Sequence, residues 1–201
     1  MNADEPSPVR LETERVLLTL LPPSAAPRLV AYFHENREHL APWSPPKPPG
    51  SHSEDYWRWR LEENRAEYLA DRSCRLQLLD AQKPDGPVLG HISFTEVVRG
   101  PLQACNLGYN IDHRFEGRGL MREGLGAAID FAFGRLGLHR LSANYMPIND
   151  RSGRLLRSLG FSVEGYARDY LFIAGAWRDH VLTALYNPDP SPPGARPEAN
   201  G

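Results

Sequence analysis

Asn106-Leu-Gly-Tyr-Asn-Ile111, followed by Arg114-Phe-Glu-Gly117-Arg-Gly119-Leu120-Met121-Arg122, is the stretch whose reading decides the fold. Ala104 to Ile111 reads as a strand. The chain then turns sharply through two glycines into a helix. On that helix Met121, Leu125, Ala128, Ile129, Ala132 and Leu136 recur at helical spacing, and Gly137 is placed to end it. The first-turn N–H groups of such a helix have no intrahelical partner and lie at the positive end of its dipole. Glycines let an anion approach the bare backbone, and Arg118 and Arg122 add charge nearby. This is the physics of a phosphate or pyrophosphate cradle.

Three nucleotide-binding patterns compete for the segment. A dinucleotide fingerprint needs a third glycine where Arg122 stands, and an acid some 20 residues on, where His139 and Arg140 stand. A P-loop needs Gly-Lys before Ser or Thr, and the chain has no such tripeptide. What remains is Arg-x-x-Gly-x-Gly after a strand.

Working outward, Arg15 to Leu21 reads as a strand stopped by Pro22-Pro23. Ser24 to about Leu40 reads as a helix capped by Ser24, with Leu29, Tyr32 and Phe33 on one face. Ser53 to about Ala70 is a second helix, capped by Ser53. Arg75–Leu79 and Val88–Val98 form an antiparallel pair around Pro84-Asp85-Gly86-Pro87. After the central helix come a strand from His139 to Tyr145 and a short helix from Asn149 to Leu159. Phe161–Ile173 and Trp177–Leu185 then make a hairpin around Ala174-Gly175-Ala176. The order predicts one α/β domain on a mixed, mostly antiparallel sheet flanked by helices.

The 201 residues suffice for one such domain. Apolar residues at 41% and charged residues at 24% predict a globular chain, not a rod or a disordered one. No apolar run approaches membrane-spanning length, and the acidic start Met1-Asn2-Ala3-Asp4-Glu5 has no secretory h-region. Net charge −2 argues against DNA binding. Cys74 and Cys105 read as small buried residues in a reducing, cytoplasmic setting. The 19 prolines cluster. Residues 1–9 and 188–201 read as disordered tails around a domain at 10–187, whereas Pro42, Pro45, Pro46, Pro48 and Pro49 stiffen an internal loop. Trp43, Trp57, Trp59 and Trp177 read mainly as packing residues, and the seven histidines show no metal-ligating spacing.

The spacing of Arg114, Gly117 and Gly119 resembles the acetyl-CoA loop of the GNAT acetyltransferases. Asn149-Asp-Arg-Ser152 and Leu159-Gly160-Phe161 resemble that family's helix start and the entry to its last hairpin. The likeness spans roughly residues 11–188. Within the family it is nearest to the ribosomal-protein N-terminal acetyltransferases, and more narrowly to those acting on an N-terminal alanine. His34-Glu-Asn-Arg37 through Pro42-Trp43, Ala143-Asn-Tyr-Met-Pro147, Glu164-Gly-Tyr-Ala167 and Trp177-Arg-Asp-His-Val-Leu-Thr-Ala-Leu185 carry it.

The resemblance implies a GNAT fold using acetyl-CoA, with no metal, and an acceptor that is the N-terminal peptide of a ribosomal protein. The backbone of Tyr109 to Ile111 would pair with the pantetheine arm, the Ile111 amide would face the thioester carbonyl, and Gly117 to Arg122 would cradle the pyrophosphate. Asn149 would hold pantetheine amides, and Ser152 would serve the departing thiolate. A related enzyme type has a catalytic Glu in its penultimate strand. Leu171 stands there, so the role is not transferred; Asp169, Glu96 and Glu116 are the local candidates for the base. A small-molecule amine acetyltransferase on the same fold, and a ribosome-assembly factor with incidental acetylation, are the competing functions. Nothing in the sequence points to an oligomeric state.

In this fold the Ala41–Gly50 loop borders the acceptor side. Replacing it with a glycine-rich segment is expected to raise the peptide KM and leave acetyl-CoA affinity unchanged in steady-state kinetics. Equal loss of both would make the loop purely structural.

Overall fold

Val16, Leu17, Leu18 and Thr19 are all buried, so their strand is covered on both faces. Alternate residues of a strand point to opposite faces. Val16 and Leu18 accordingly join one apolar cluster and Leu17 another. The computed structural model, which describes residues 7–189, shows what covers each face.

The strands are β1 (Arg10–Glu12), β2 (Val16–Thr19), β3 (Cys74–Asp80), β4 (Gly90–Val98), β5 (Ala104–Ile111), β6 (Arg140–Ser142), β7 (Ser162–Ile173) and β8 (Ala176–Tyr186). The helices are α1 (Ala26–Glu35), α2 (Arg37–Leu40), α3 (Glu54–Leu69), α4 (Leu120–Gly134) and α5 (Asp150–Ser158). The eight strands form one sheet in the order β1-β2-β3-β4-β5-β6-β8-β7. Every neighbouring pair is antiparallel except β5 and β6. The larger cluster joins α4, through Leu125, Ala128 and Ala132, to Leu18, Leu76, Leu78 and Ile92. The smaller one joins Leu29 and Tyr32 of α1 and Leu61 of α3 to Leu17 and Leu79. The mixed, mostly antiparallel α/β sheet expected from the sequence is present.

Local differences have physical causes. β1 escaped the sequence reading because Arg-Leu-Glu is short and two of its three residues are charged; it forms because Leu11 pairs with Leu18 at the sheet edge and packs on the larger cluster. The chain is packed back to Ser7. Its Oγ accepts from the Leu20 N–H at 3.2 Å, and Val9 is fully buried, so residues 7–9 do not behave as the expected tail. The remaining tail expectations, on residues 1–6 and 190–201, lie outside the described residues. The first helix breaks at Asn36, and Ser24 does not cap it: the chain enters through a 3-10 turn at Pro23–Ala25. Ser53 does cap α3, accepting from the Tyr56 N–H at 3.2 Å. Among the tryptophans, Trp57 stacks on Phe33 at 4.6 Å, whereas Trp43, Trp59 and Trp177 are exposed, against the packing role expected of most of them.

The break at Asn36 has a purpose in the packing. Its Oδ1 accepts from the His113 N–H (3.0 Å), and its Nδ2 donates to Asp112 Oδ2 (3.1 Å). Asp112, completely buried just beyond β5, also accepts from the Arg114 N–H (2.8 Å) and the Arg114 guanidinium. Burial alone would raise its pKa, but the Arg114 and Asn36 hydrogen bonds outweigh it and hold the carboxyl at about 2. The folded value lies below the ordinary 3.8, so the contribution to stability is complete above about pH 4 and is lost as pH falls toward 2. Asp112→Asn is therefore expected to cost about 1–3 kcal/mol at pH 7. In urea unfolding, its gap from the wild-type protein should close between about pH 4 and pH 2; a pH-independent gap would contradict this account.

Candidate active site

β5 and β6 pair only from Ala104, Cys105 and Asn106 to Arg140, Leu141 and Ser142. Beyond Ser142 the chain stays with β8: the Ala143 N–H donates to Thr183 O (3.0 Å) and the Tyr145 N–H to Val181 O (3.1 Å). β5 stays with β4, so the two parallel strands part. On its β4 side the Asp112 N–H donates to Leu89 O at 2.8 Å. Antiparallel pairs alternate between bonded and non-bonded. Ile111 opposite Gly90 and Tyr109 opposite Ile92 are thus non-bonded pairs, and their backbone N–H and C=O groups turn away from β4 into the gap.

A cleft of about 1100 Å³ opens there. One end is the α4 N-terminus. Gly117 (φ +72°) and Gly119 (φ +78°) take a left-handed backbone that lets the chain swing into the helix. The first intrahelical bond, from the Glu123 N–H to Gly119 O, leaves the Leu120, Met121 and Arg122 amides without helical acceptors. The turn is braced from behind by a contact the sequence does not announce. Glu123 accepts from Thr13 Oγ1 (2.6 Å), the Arg15 N–H (2.9 Å) and Arg15 Nε (2.6 Å), and Arg15 Nη1 donates to Arg118 O (3.1 Å).

The facing wall is α5. Asn149 caps it, its Oδ1 accepting from the Ser152 N–H at 3.1 Å. That oxygen is committed to the helix, which leaves the side-chain amide as the group free to donate. Ser152 Oγ lies 2.6 Å from the Tyr109 hydroxyl. Burial pushes Tyr109 up to about 12, with the Ser152 hydrogen bond offsetting part of the rise, so the pair stays fully protonated at neutral pH. A Cβ at Gly153 would meet the Tyr145 ring at 2.8 Å, so any side chain there would displace that ring. The third wall carries His39, Trp43, Ser44 and Pro45 from α2 and the proline loop, with Leu171, Ile173 and His180 from the β7–β8 hairpin opposite.

The structure thus gathers Tyr109, Ile111, Gly117, Gly119, Leu120, Met121, Arg122, Asn149 and Ser152 around one cleft. Arg114 and Arg118 are not among its lining. Arg114 Nη2 is 2.5 Å from both Asp112 and Glu35, and the Arg118 guanidinium lies over the Phe115 ring. Of the candidate bases, Glu116 lines the cleft, paired with Arg151 and 3.5 Å from His39. Asp169 and Glu96 sit at irregularities of β7 and β4 (φ +47° and +54°), and neither lines the cleft. The Asp169 N–H donates to Asp179, and Glu96 accepts from Asn106. His91, Asn144 and His180 line the cleft without having been expected there. The signal for His91 was His91-Ile-Ser-Phe94, where polar and apolar residues alternate in a strand covered on both sides.

Residues 15–162 match the family of the acetyltransferase (GNAT) domain. The chain belongs to the GNAT acetyltransferases. The ribosomal protein uS5-alanine N-acetyltransferase of Escherichia coli K12 is 44% identical over 184 residues, 92% of this chain and 94% of that protein. The ribosomal-protein-S5-alanine acetyltransferase structure from Vibrio fischeri is 34% identical, has a TM-score of 0.86 and covers 92% of this chain and 100% of its own. RimJ of Mycobacterium smegmatis, solved with a CoA-disulfide, is 27% identical with a TM-score of 0.79, over 89% and 86% of the two chains.

A left-handed backbone costs a branched residue about 1–3 kcal/mol. Gly119→Val is therefore expected to weaken CoA binding by about 5- to 100-fold in titration calorimetry, with the fold retained. Unchanged affinity would remove the α4 turn from the binding site.

Proposed function

We propose that this chain transfers the acetyl group of acetyl-CoA to the N-terminal amine of a ribosomal protein beginning with a small residue, alanine or serine. The observation that carries the reading is the 44% identity along nearly the whole length of an enzyme of that name. The cleft fits it in chemistry. The unpaired β5 edge offers alternating N–H and C=O groups to an amide-bearing arm, and the free amides at the α4 turn offer an anion site. The gap between β5 and β6 connects this CoA side to the wall of His39, Trp43 and Pro45, where a peptide can enter.

In this reading the Ile111 amide faces the thioester carbonyl and stabilises the negative charge that gathers on its oxygen during attack, a task suited to a fixed backbone donor. The Tyr109–Ser152 hydroxyl pair, protonated throughout the neutral range, gives a proton to the departing thiolate. The acceptor class follows from amine chemistry. An α-amine of pKa about 7.7–8.0 is roughly a tenth or more neutral near pH 7, whereas a lysine of about 10.4 is neutral less than about 0.1% of the time. Glu116, the candidate acid that lines the cleft, is already paired with Arg151, which suits the former. Cytoplasmic localisation accompanies the same reading; among the described residues no helix is long and apolar enough to cross a membrane.

Thiol release with a short peptide beginning Ala is the test. The wild-type protein should turn it over, but not the same peptide with its N-terminus blocked and a free lysine inside. Ser152→Ala is expected to lower kcat about 10- to 100-fold with little change in acetyl-CoA KM. Release with a polyamine and none with any peptide would instead assign the cleft to small-molecule amines.

A further inference from the structure

The β8 strand presents a histidine whose surroundings fix its chemistry. His180 is 3% exposed and belongs to the lining of the cleft, as do Tyr145, Leu171 and Ile173. Its Nδ1 lies 3.0 Å from Arg178 O. A carbonyl oxygen only accepts, so Nδ1 carries the hydrogen, and in the neutral ring Nε2 holds the lone pair. Among the described residues Nε2 makes no hydrogen bond to protein, and it is not sealed from the cleft as His91 Nδ1 is.

We propose that His180 is the base of the reaction, its Nε2 taking a proton from the N-terminal ammonium before that nitrogen attacks. This deepens the acetyltransferase reading above and rests on it. The atoms balance as follows. One ammonium proton passes to Nε2 and on to solvent. The nitrogen then bonds the acetyl carbon and the C–S bond breaks. The thiolate keeps that electron pair and takes a proton from the Tyr109–Ser152 hydroxyls, which the second nitrogen proton replaces through solvent. The third proton stays on the amide.

The alternatives in the cleft are weaker. Glu116 is held by Arg151 and His39. Burial, with Arg75 and Arg60 nearby, pushes His91 down to about 4. That is about four pH units below an α-amine, which disfavours proton transfer to it about 10⁴-fold. The titratable groups around His180 are Tyr170 of β7, its ring 5.3 Å away, and Tyr145 from the segment after β6. On its own strand, Asp179 points to the opposite face, where it holds the Tyr166 hydroxyl and the Asp169 N–H. The other charged or titratable groups of the cleft lining are Glu116, Asp150, Arg122, Arg151, Arg154, Tyr109, His39 and His91.

His180→Asn keeps a donor near the Nδ1 position without the distal base, and His180→Gln places an amide that cannot hold a proton near Nε2. Both are expected to lower kcat at pH 7 by about 10²-fold or more, with CoA affinity by calorimetry within twofold of wild type, which also reports an intact cleft. The deficit should shrink by pH 9, where about nine-tenths of an α-amine is already neutral. A deficit equally large at pH 7 and 9, or activity within threefold of wild type at pH 7, would overturn the proposal. The comparison uses whichever amine the wild-type protein acetylates, so a failure with peptides counts against the acceptor reading alone.

Discussion

The parting of β5 from β6 is the constraint on which the rest of the structure depends. A parallel pair that stays together satisfies its backbone from both sides. Here β6 follows β8 past Ser142 while β5 follows β4, and Tyr109 and Ile111 are left with N–H and C=O groups facing a gap. Buried backbone groups without partners are costly, so the gap needs water or a ligand with matching groups in it. On the proposed reading an extended amide-bearing arm answers that need as an added strand would.

Two braces hold the gap open in the right shape. At the end of β5, Asp112 ties the strand to Asn36, where the first helix breaks, and to Arg114. At the α4 turn, Glu123 ties the two glycines to Thr13 and Arg15 before β2. The first brace explains the arginine of the Arg-x-x-Gly-x-Gly pattern. Its guanidinium is spent on Asp112 and Glu35, so its part is to aim the turn, while the glycines and bare amides line the cleft. Both braces join segments distant in sequence, and each couples the CoA side of the cleft to an element at the edge or on the acceptor side.

That geometry also sets what the sequence could disclose. β5, α4 with its glycine turn and the Ser53 cap of α3 were legible because each rests on a local rule: alternation, helical spacing, a capping hydroxyl. Ser24, an equally good cap by the same rule, was overruled by the 3-10 turn that two prolines impose. β1 and the short β6 were misjudged because their limits depend on which neighbour they pair with. The wall of the cleft built by β5 and the α4 turn was readable from a contiguous motif. Its acceptor wall draws on α2, the proline loop, β4 and β8, and no spacing links His39, His91 and His180. Glu96 and Asp169 were attractive as acids, yet they sit at bulges, where irregular backbone re-aims a residue away from its strand neighbours.

The two walls are therefore built from different chemistry, and this bears on how one fold serves different amines. The wall proposed to hold CoA is mostly backbone: strand edge, helix amides and left-handed glycines. A substitution elsewhere hardly alters what backbone offers. The acceptor wall is side chains on a stiff loop and a long edge hairpin, and each can change without touching the core clusters. An α-amine needs little help to lose a proton, so one imidazole acting as base can suffice on the proposed reading; an amine of higher pKa would need a stronger base at the same place. On that reading acceptor class is set by a few positions on β8 and the proline loop, and the glycine motif carries no information about it.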